Sequence, residues 1–337
     1  MNNNLKKGKK IFVVATIINV LYRVLKILIK RNDNEVLEML LPILAISCIA
    51  LYLWSTLLIC RRQKVKYDVD LMPLEEVDRR VEVISKELIK TQKEVVKFNL
   101  LEEKTHIFDS KICGEYFIPE GYNKPINEET GNELFLLAQI NFAQIPKIKD
   151  FPEEGLLQIF ISGDDELYGL KKENGYKVVY YPTVPKDTKK GKIYNPKWTL
   201  ENYLPFQTNS VYKLVGEKTT QSMQAYGENF NLFIEKNFKE LLTETNKIGQ
   251  KHVGYRVIQK LSFREEYIGC QCGGYPEFNK KDPRNVDSKN FEDVLLFQLR
   301  SCESIMWGNF GIGNFFISKE NLKNKDFSKV LYNWDCE

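Results

Sequence analysis

The sequence predicts an α+β fold dominated by antiparallel sheet, built from two related halves and preceded by an α-helical membrane hairpin and a linker helix. Three observations predict it. Short β-branched or aromatic blocks, bounded by Gly, Pro or Asn, fill much of the chain beyond residue 93. Four of these blocks recur in the same order at an offset of about 152–160 residues. Neither βαβ alternation nor a glycine-rich phosphate loop accompanies them, which excludes Rossmann and P-loop readings.

The first element is the anchor, residues 1–66. Met39 to Cys60 reads MLLPILAISCIALYLWSTLLIC, 22 residues without a charge, enough to span about 30 Å of hydrocarbon as a helix. Arg61, Arg62, Lys64 and Lys66 follow at once. Ile11 to Ile29 is a second apolar segment, but it carries Arg23 and Lys26. Those cations either snorkel to the far interface or mark a basic amphipathic helix lying on the membrane surface. No small-residue cleavage site follows, so a signal peptide is excluded. Basic clusters flank the pair of segments at 11–29 and 39–60, and the positive-inside rule then places both termini and the globular part on the cytoplasmic face of a bacterial cell membrane.

Charge supports this division. The whole chain is +4, but residues 1–66 hold 12 Lys+Arg against 3 Asp+Glu, leaving 37 against 42 for the rest. A protein of net −5 beyond the anchor lacks the broad basic face that nucleic acid requires, so no nucleic-acid partner is expected.

Residues 67–104 read as a linker helix and a first strand. Leu74, Val77, Val81, Ile84 and Leu88 fall at heptad spacing among charged residues, an amphipathic helix through about Lys93. Its stripe either packs on the following domain or forms a coiled coil, which would make the chain a homodimer through the Leu74 helix. Lys93 to Leu101, with Val95, Val96 and Phe98, reads as the strand.

The globular domain, 105–337, holds the repeat in halves of about 105–185 and 255–337. KICGEYFIP (111–119) matches QCGGYPEF (271–278), and LFLLAQI with Gln139 matches VLLFQL with Gln298. GLLQIFIS (155–162) matches GIGNFFIS (311–318), and KVVYYP (177–182) matches KVLYNW (329–334). Between the halves, 222–242 has helical spacing, and the lysine-rich stretch 186–197 (KDTKKGKIYNPK) reads as a solvated loop.

These blocks carry a resemblance. From Lys111 to Glu337 the chain resembles the YwqG-like family of bacterial proteins, a domain of unknown function, on SKICGEYFIP, LLAQINF, FPEEGLLQIFIS, GGYPEF with Asp282-Pro283-Arg284, and IMWGNFGIGNFFI followed by DFSKVLYNWDC. Cys113 stands where the family usually has a second Gly, Asn279-Lys280 replace a Thr-Gln pair, and Asn309 replaces a frequent Asp. The membrane hairpin is an addition to the usual soluble form. The resemblance implies a fold and supplies no reaction.

The chemistry-bearing residues are few. His106 and His252 neighbour no nucleophile arrangement and read as structural. Cys270-Gln271-Cys272 is the most metal-like element, yet no second cysteine pair completes a tetrahedral set, so neither metal nor cofactor is expected. The Gly273-Gly274-Tyr275-Pro276 turn and the loop from Trp307 to Gly313 combine glycines, which permit close backbone approach, with aromatic rings able to stack on a ligand. The alternative is a pair of hairpin turns with structural aromatics. Tyr275, Asp282, Arg284, Trp307 and Asn309 are the candidate binding residues, and no catalytic residue is assigned. The expected function is a membrane-anchored module binding a protein partner at the cytoplasmic membrane face, one version being immunity against a toxin acting there. An enzyme with a pocket between the halves, or a scaffold dimerising through the Leu74 helix, are the alternatives.

Overall fold

Alternating apolar residues in short runs build one ten-stranded antiparallel sheet in the computed structural model, which describes residues 72–337 except 171–173, 196–201, 207–210, 246–248, 250, 263–268, 285–293 and 303. The segments 11–29 and 39–60 lie outside the described residues. Among the described residues no helix is long and apolar enough to cross a membrane.

The strands are β1 (Lys93–Leu101), β2 (Lys111–Ile112), β3 (Tyr116–Pro119), β4 (Phe135–Asn141), β5 (Leu156–Ile161), β6 (Tyr176–Tyr181), β7 (Gly191–Tyr194) and β8 (Tyr212–Gln221). After them come β9 (Glu244–Thr245), β10 (Lys251–His252), β11 (Cys270–Gly273), β12 (Val294–Arg300), β13 (Ile312–Ile317) and β14 (Leu331–Asp335). The large sheet runs β14-β13-β12-β11-β1-β8-β2-β4-β5-β6. Its centre is the nine-residue pairing of β1 with β8. Outward from there one side is β11, β12, β13, β14 and the other β2, β4, β5, β6.

The sheet curls into a nearly closed barrel. Its edge strands β6 and β14 meet through side chains: Tyr176 Oη donates to Val330 O at 2.7 Å, and the rings of Tyr176 and Tyr332 lie 5.2 Å apart. Trp334 Nε1 donates to Leu167 O at 2.7 Å. The interior is filled by alternate residues of every long strand, including Val96, Phe98, Ile140, Leu157, Ile159, Phe297, Leu299, Phe315 and Ile317. This is the mainly antiparallel β architecture the blocks predict, with few helices.

Period-two alternation puts the residues between them on the outer face. There lie Lys111, Gln139 and Gln158 on one side and Gln271, Gln298 and Asn314 on the other, all buried. Register pairs Lys111 with Gln139 and Gln139 with Gln158, and likewise Gln271 with Gln298 and Gln298 with Asn314. Each side therefore carries a polar row across its strands, hidden under the loops. The same alternation explains Cys270 and Cys272: both thiols join the core while Gln271 points away.

Helix α1 (Leu74–Ile89) buries Val77, Val81, Ile84 and Leu88. Four of the five heptad residues are thus packed, while Leu74, the first of them, is exposed. Arg80 fixes the helix, donating to Leu241 O at 2.9 Å, Thr243 Oγ1 at 2.9 Å and Val253 O at 3.0 Å. The helix ends before Lys93 because Thr91 caps it by donating its hydroxyl to Leu88 O at 2.6 Å. Helix α2 (Gly227–Asn237) is shorter than the 222–242 expected, since β8 runs on to Gln221. Two further helices, α3 (Tyr255–Ser262) and α4 (Lys319–Lys323), follow. The lysine-rich stretch is not wholly a loop. Its residues 191–194 form β7, paired with β3. Gly191 permits this, because a Cβ there would run into Ile118 O.

Candidate functional site

The chain leaves β11 through two consecutive glycines in the left-handed region, Gly273 (φ 76°) and Gly274 (φ 72°). This turn folds the segment 274–284 back over the outer polar row. Gln271 Nε2 donates to Gly273 O at 3.0 Å and Tyr275 O at 3.1 Å, and Tyr275 N donates to Gln221 Oε1 at 2.7 Å. Glu277 N donates to Gln298 Oε1 at 2.8 Å, and Asn314 Nδ2 donates to Glu277 O at 2.9 Å. The Asp335 carboxylate then accepts from Asn279 N and Lys280 N, both at 3.0 Å. The buried amides thus satisfy the backbone of a loop that would otherwise lie unbonded on the sheet.

Within this loop the side chains are tied as well. Tyr275 donates its hydroxyl to Thr91 O at 2.6 Å, and the Lys93 ammonium sits 4.4 Å over its ring. Asp282 and Arg284 form a forked pair, with Nε donating to Oδ1 at 2.9 Å and Nη2 to Oδ2 at 2.6 Å. The Arg284 guanidinium lies 4.7 Å from the Phe316 ring. Glu277 is buried, and its carboxylate accepts from Gln224 Nε2 at 3.2 Å and Arg300 Nη1 at 3.1 Å.

The second loop, 301–311, is held against the first by Asn279 Nδ2, which donates to Phe310 O at 2.9 Å. Its Trp307 is fully buried among Tyr168, Tyr332 and Trp334, and it covers Gly313, where a Cβ would lie 2.5 Å from its ring. Trp307 is therefore core, with no face open to stack on a ligand. Asn309 stands at the exposed tip. It lines a recess of about 410 Å³ together with Ser301, Cys302, Ile305, Met306, Gly308 and Phe310. Phe310 is 65% exposed and Met306 45%, and Phe310 holds φ 50°, a conformation uncommon outside glycine.

Residues 110–336 match the model of a family described as Domain of unknown function (DUF1963). The chain belongs to the DUF1963 family. No curated protein matches it. The DUF1963 match leaves out α1 and β1, yet β1 is a central strand of the sheet and Val77–Glu337 forms one compact unit. The folded DUF1963 unit of this chain therefore begins some thirty residues before the family match.

On the β2 side of the DUF1963 domain a turn of similar backbone shape uses Cys113 (φ 60°) and Gly114 (φ 86°). Gln158 Nε2 donates to Phe117 O at 3.1 Å, as Asn314 does to Glu277 O. Gln139 Nε2 donates to Ile107 O at 2.9 Å and Asp109 O at 2.8 Å, and Lys111 Nζ to His106 O and Ile107 O at 3.2 Å each. Burial pushes the Lys111 ammonium down to about 8, against a smaller upward pull from Asp109 and Glu115.

Of the five candidate residues, the recess brings in Asn309. Tyr275 sits with Thr91 and Lys93, Asp282 with Arg284, and Trp307 in the core. Sequence reasoning missed Met306 and Phe310, although both flank the quoted WGN motif as apolar residues in a glycine-rich loop. It also missed Glu277, for which the only signal was a carboxylate inside an otherwise apolar strand block. His252 accepts from Gly254 N at its Nδ1, at 3.1 Å, and His106 presents its carbonyl to Lys111. Among the described residues no group of three or more His, Cys, Asp or Glu is placed to hold a metal ion. Burial raises the Cys270 and Cys272 thiols well above the usual range.

Proposed function

We propose that this chain is a membrane-anchored binding module whose recess at 301–310 receives an apolar side chain of a protein partner at the cytoplasmic membrane face. The observation that carries the reading is the contrast between two exposed apolar side chains and the tied polar groups around them. Met306 and Phe310 rim the recess, while Asp282 and Arg284 close on each other and lie outside its lining. Partners concentrate binding energy on such anchors when a pocket desolvates them. An enzyme would instead gather carboxylates or bases around the recess. Support for the anchor is the uncharged stretch Met39 to Cys60 with its basic flanks. The two sides of the sheet arose, on this reading, by duplication of a YwqG-like half. The shared strand order, the paired left-handed turns and the matching Gln158 and Asn314 bonds support it.

The test is affinity capture of full-length protein from membranes, with a photo-crosslinking residue beside the recess, comparing native chain with Met306→Ala, Phe310→Ala. A stoichiometric protein cross-linked to the native chain and lost from the variant is expected. Recovery of the same partner by both forms would remove the recess from the interface. A small molecule in place of a protein would send the recess to enzyme assays.

A further inference from the structure

The strand β7 and the turn before it carry four exposed lysines within seven residues: Lys186, Lys189, Lys190 and Lys192. Among the described residues none of the four is in an ion pair, and Asp187 is the single acid between them; its carboxylate accepts from Lys189 N at 2.9 Å. The concentration stands out against residues 67–337, whose net charge is −5. The patch is also held in shape. β7 pairs with β3 over four residues, Glu120 N donates to Lys190 O at 2.9 Å, and Gly191 lies directly on Ile118. One apolar side chain accompanies the lysines, Tyr122 on the turn after β3, about half exposed.

We infer that this face docks the domain onto an anionic bilayer, with the lysines against lipid phosphates and Tyr122 at the headgroup level. The inference rests on the anchored reading above, because the tether is what makes so small a patch sufficient. Each lysine near an anionic surface favours the docked state about fivefold, and Asp187 and the exposed Glu120 beside Lys190 offset two of them. A gain of roughly 25-fold is weak for a freely diffusing protein. A tethered domain needs no more, since its local concentration at the surface is already high. Tyrosine suits the headgroup region because its ring is apolar and its hydroxyl is wet. Docked this way, the domain has a fixed orientation at the surface instead of tumbling on its tether. An acidic peptide offers the same charge, but this patch adds only one short strand edge for it, and lysine on an edge strand discourages pairing.

The experiment is hydrogen exchange of residues 186–194 and 116–122 in the full-length chain. It is measured with nanodiscs of zwitterionic lipid, with nanodiscs containing phosphatidylglycerol, and with soluble polyglutamate. Native chain is compared with Lys189→Glu, Lys190→Glu, Lys192→Glu. Protection of at least tenfold with anionic nanodiscs is expected, absent with zwitterionic ones, lost in the variant and lost at high salt. Whether the chain co-migrates with either nanodisc reports the anchor separately. A chain that co-migrates but shows no anionic protection overturns the docking face and leaves the anchor standing. A chain that stays apart from zwitterionic discs, yet is protected by anionic ones, keeps the face and removes the anchor. Protection by polyglutamate alone assigns the patch to an acidic protein and overturns the inference.

Discussion

The two sides of the sheet solve one problem with different residues. Each turns its chain back through two left-handed residues and pegs neighbouring backbone to a buried polar row; on the β2 side Gln158 holds the returning segment, while Lys111 and Gln139 hold residues 106–109 before the strand. On the β2 side the loop is apolar, with Tyr116, Phe117 and Ile118 all buried, and the row includes an ammonium, Lys111. On the β11 side the row is neutral amide, and the loop itself carries the charges Glu277, Asp282 and Arg284. The difference teaches where variation is tolerated. The row must bond to loop backbone, Gln298 by accepting from Glu277 N and Gln158 and Asn314 by donating to carbonyls, whereas the loop side chains differ between the two sides. The recess and both exposed apolar residues lie on the β11 side.

The largest expected effect separates the loops by charge. Glu277→Leu removes the carboxylate that meets Arg300 and Gln224, leaving the partly buried guanidinium to the more distant charges of Asp335 and Glu337. Loss of one partner from a buried pair costs 3–5 kcal/mol, and partial solvent access to Arg300 lowers this to about 3 kcal/mol. Urea denaturation of the full-length chain checks it. A loss below about 1 kcal/mol would mean that the Asp335 and Glu337 charges near Arg300 compensate it without Glu277.

The next effect separates the rows by pH. The Lys111 proton is bound less tightly in the fold, about 8 against 10.5 for an unburied lysine. Above 10.5 both states are neutral and the full stability is present. As pH falls from 10.5 to 8 the unfolded chain takes up the proton before the folded one does, so about 3 kcal/mol is lost across that window and no more below it. The native chain should therefore gain stability from pH 8 upward relative to Lys111→Gln, which copies Gln271 from the other side. Comparing the two proteins cancels the buried tyrosines, whose phenols burial also shifts. Parallel curves for both would show that Lys111 is hydrated in solution.

A smaller effect separates the turns. Gly274→Ala brings a Cβ onto Gln221 Oε1, which already accepts from Tyr275 N and Gln271 Nε2. Gly114→Ala meets Val211 Cγ2 at 2.9 Å, the end of a side chain that can turn away. Both substitutions cost the left-handed strain of about 1–2 kcal/mol, and Gly274→Ala adds roughly 1 kcal/mol for disturbed pegs. Equal losses in thermal melts would place the Gln221 contact among features that relax freely.

Much of this frame was legible because it is local. Strand blocks, their alternation and their turn glycines depend on residues a few positions apart, so β4, β5, β12 and β13 could be read directly. What could not be read depends on partners far along the chain. Trp307 in a glycine-rich loop looks the same whether it faces solvent or covers Gly313. The heptad stripe of α1 looks the same whether it meets a second chain or its own. Glu277 became a buried carboxylate only through Gln224 and Arg300, and Tyr275 became a tied ring only through Thr91 and Lys93. The lysine-rich stretch read as a loop because β7 owes its existence to Gly191 meeting a strand some seventy residues earlier.

The finest test uses the one position where the two turns differ in residue type. Cys113 holds φ 60° where Gly273 holds φ 76°. A left-handed conformation costs a side-chain-bearing residue about 1–2 kcal/mol. Glycine recovers that but loses more chain entropy on folding, about 0.5–1 kcal/mol, and gives up the packing of the Cys113 side chain against the core. Cys113→Gly is therefore expected to raise stability only slightly, by about 0.5 kcal/mol. The reciprocal Gly273→Cys adds the strain and places a Cβ 3.0 Å from both Glu94 O and Ile148 Cδ1, so it should cost about 2 kcal/mol. Opposite signs in the two urea midpoints would mean that both turns impose the same backbone and that Cys113 carries the strain of a glycine site. Losses of equal size would mean that the Cys113 side chain is worth more in the core than its backbone costs, and the two turns would then be alike in shape only.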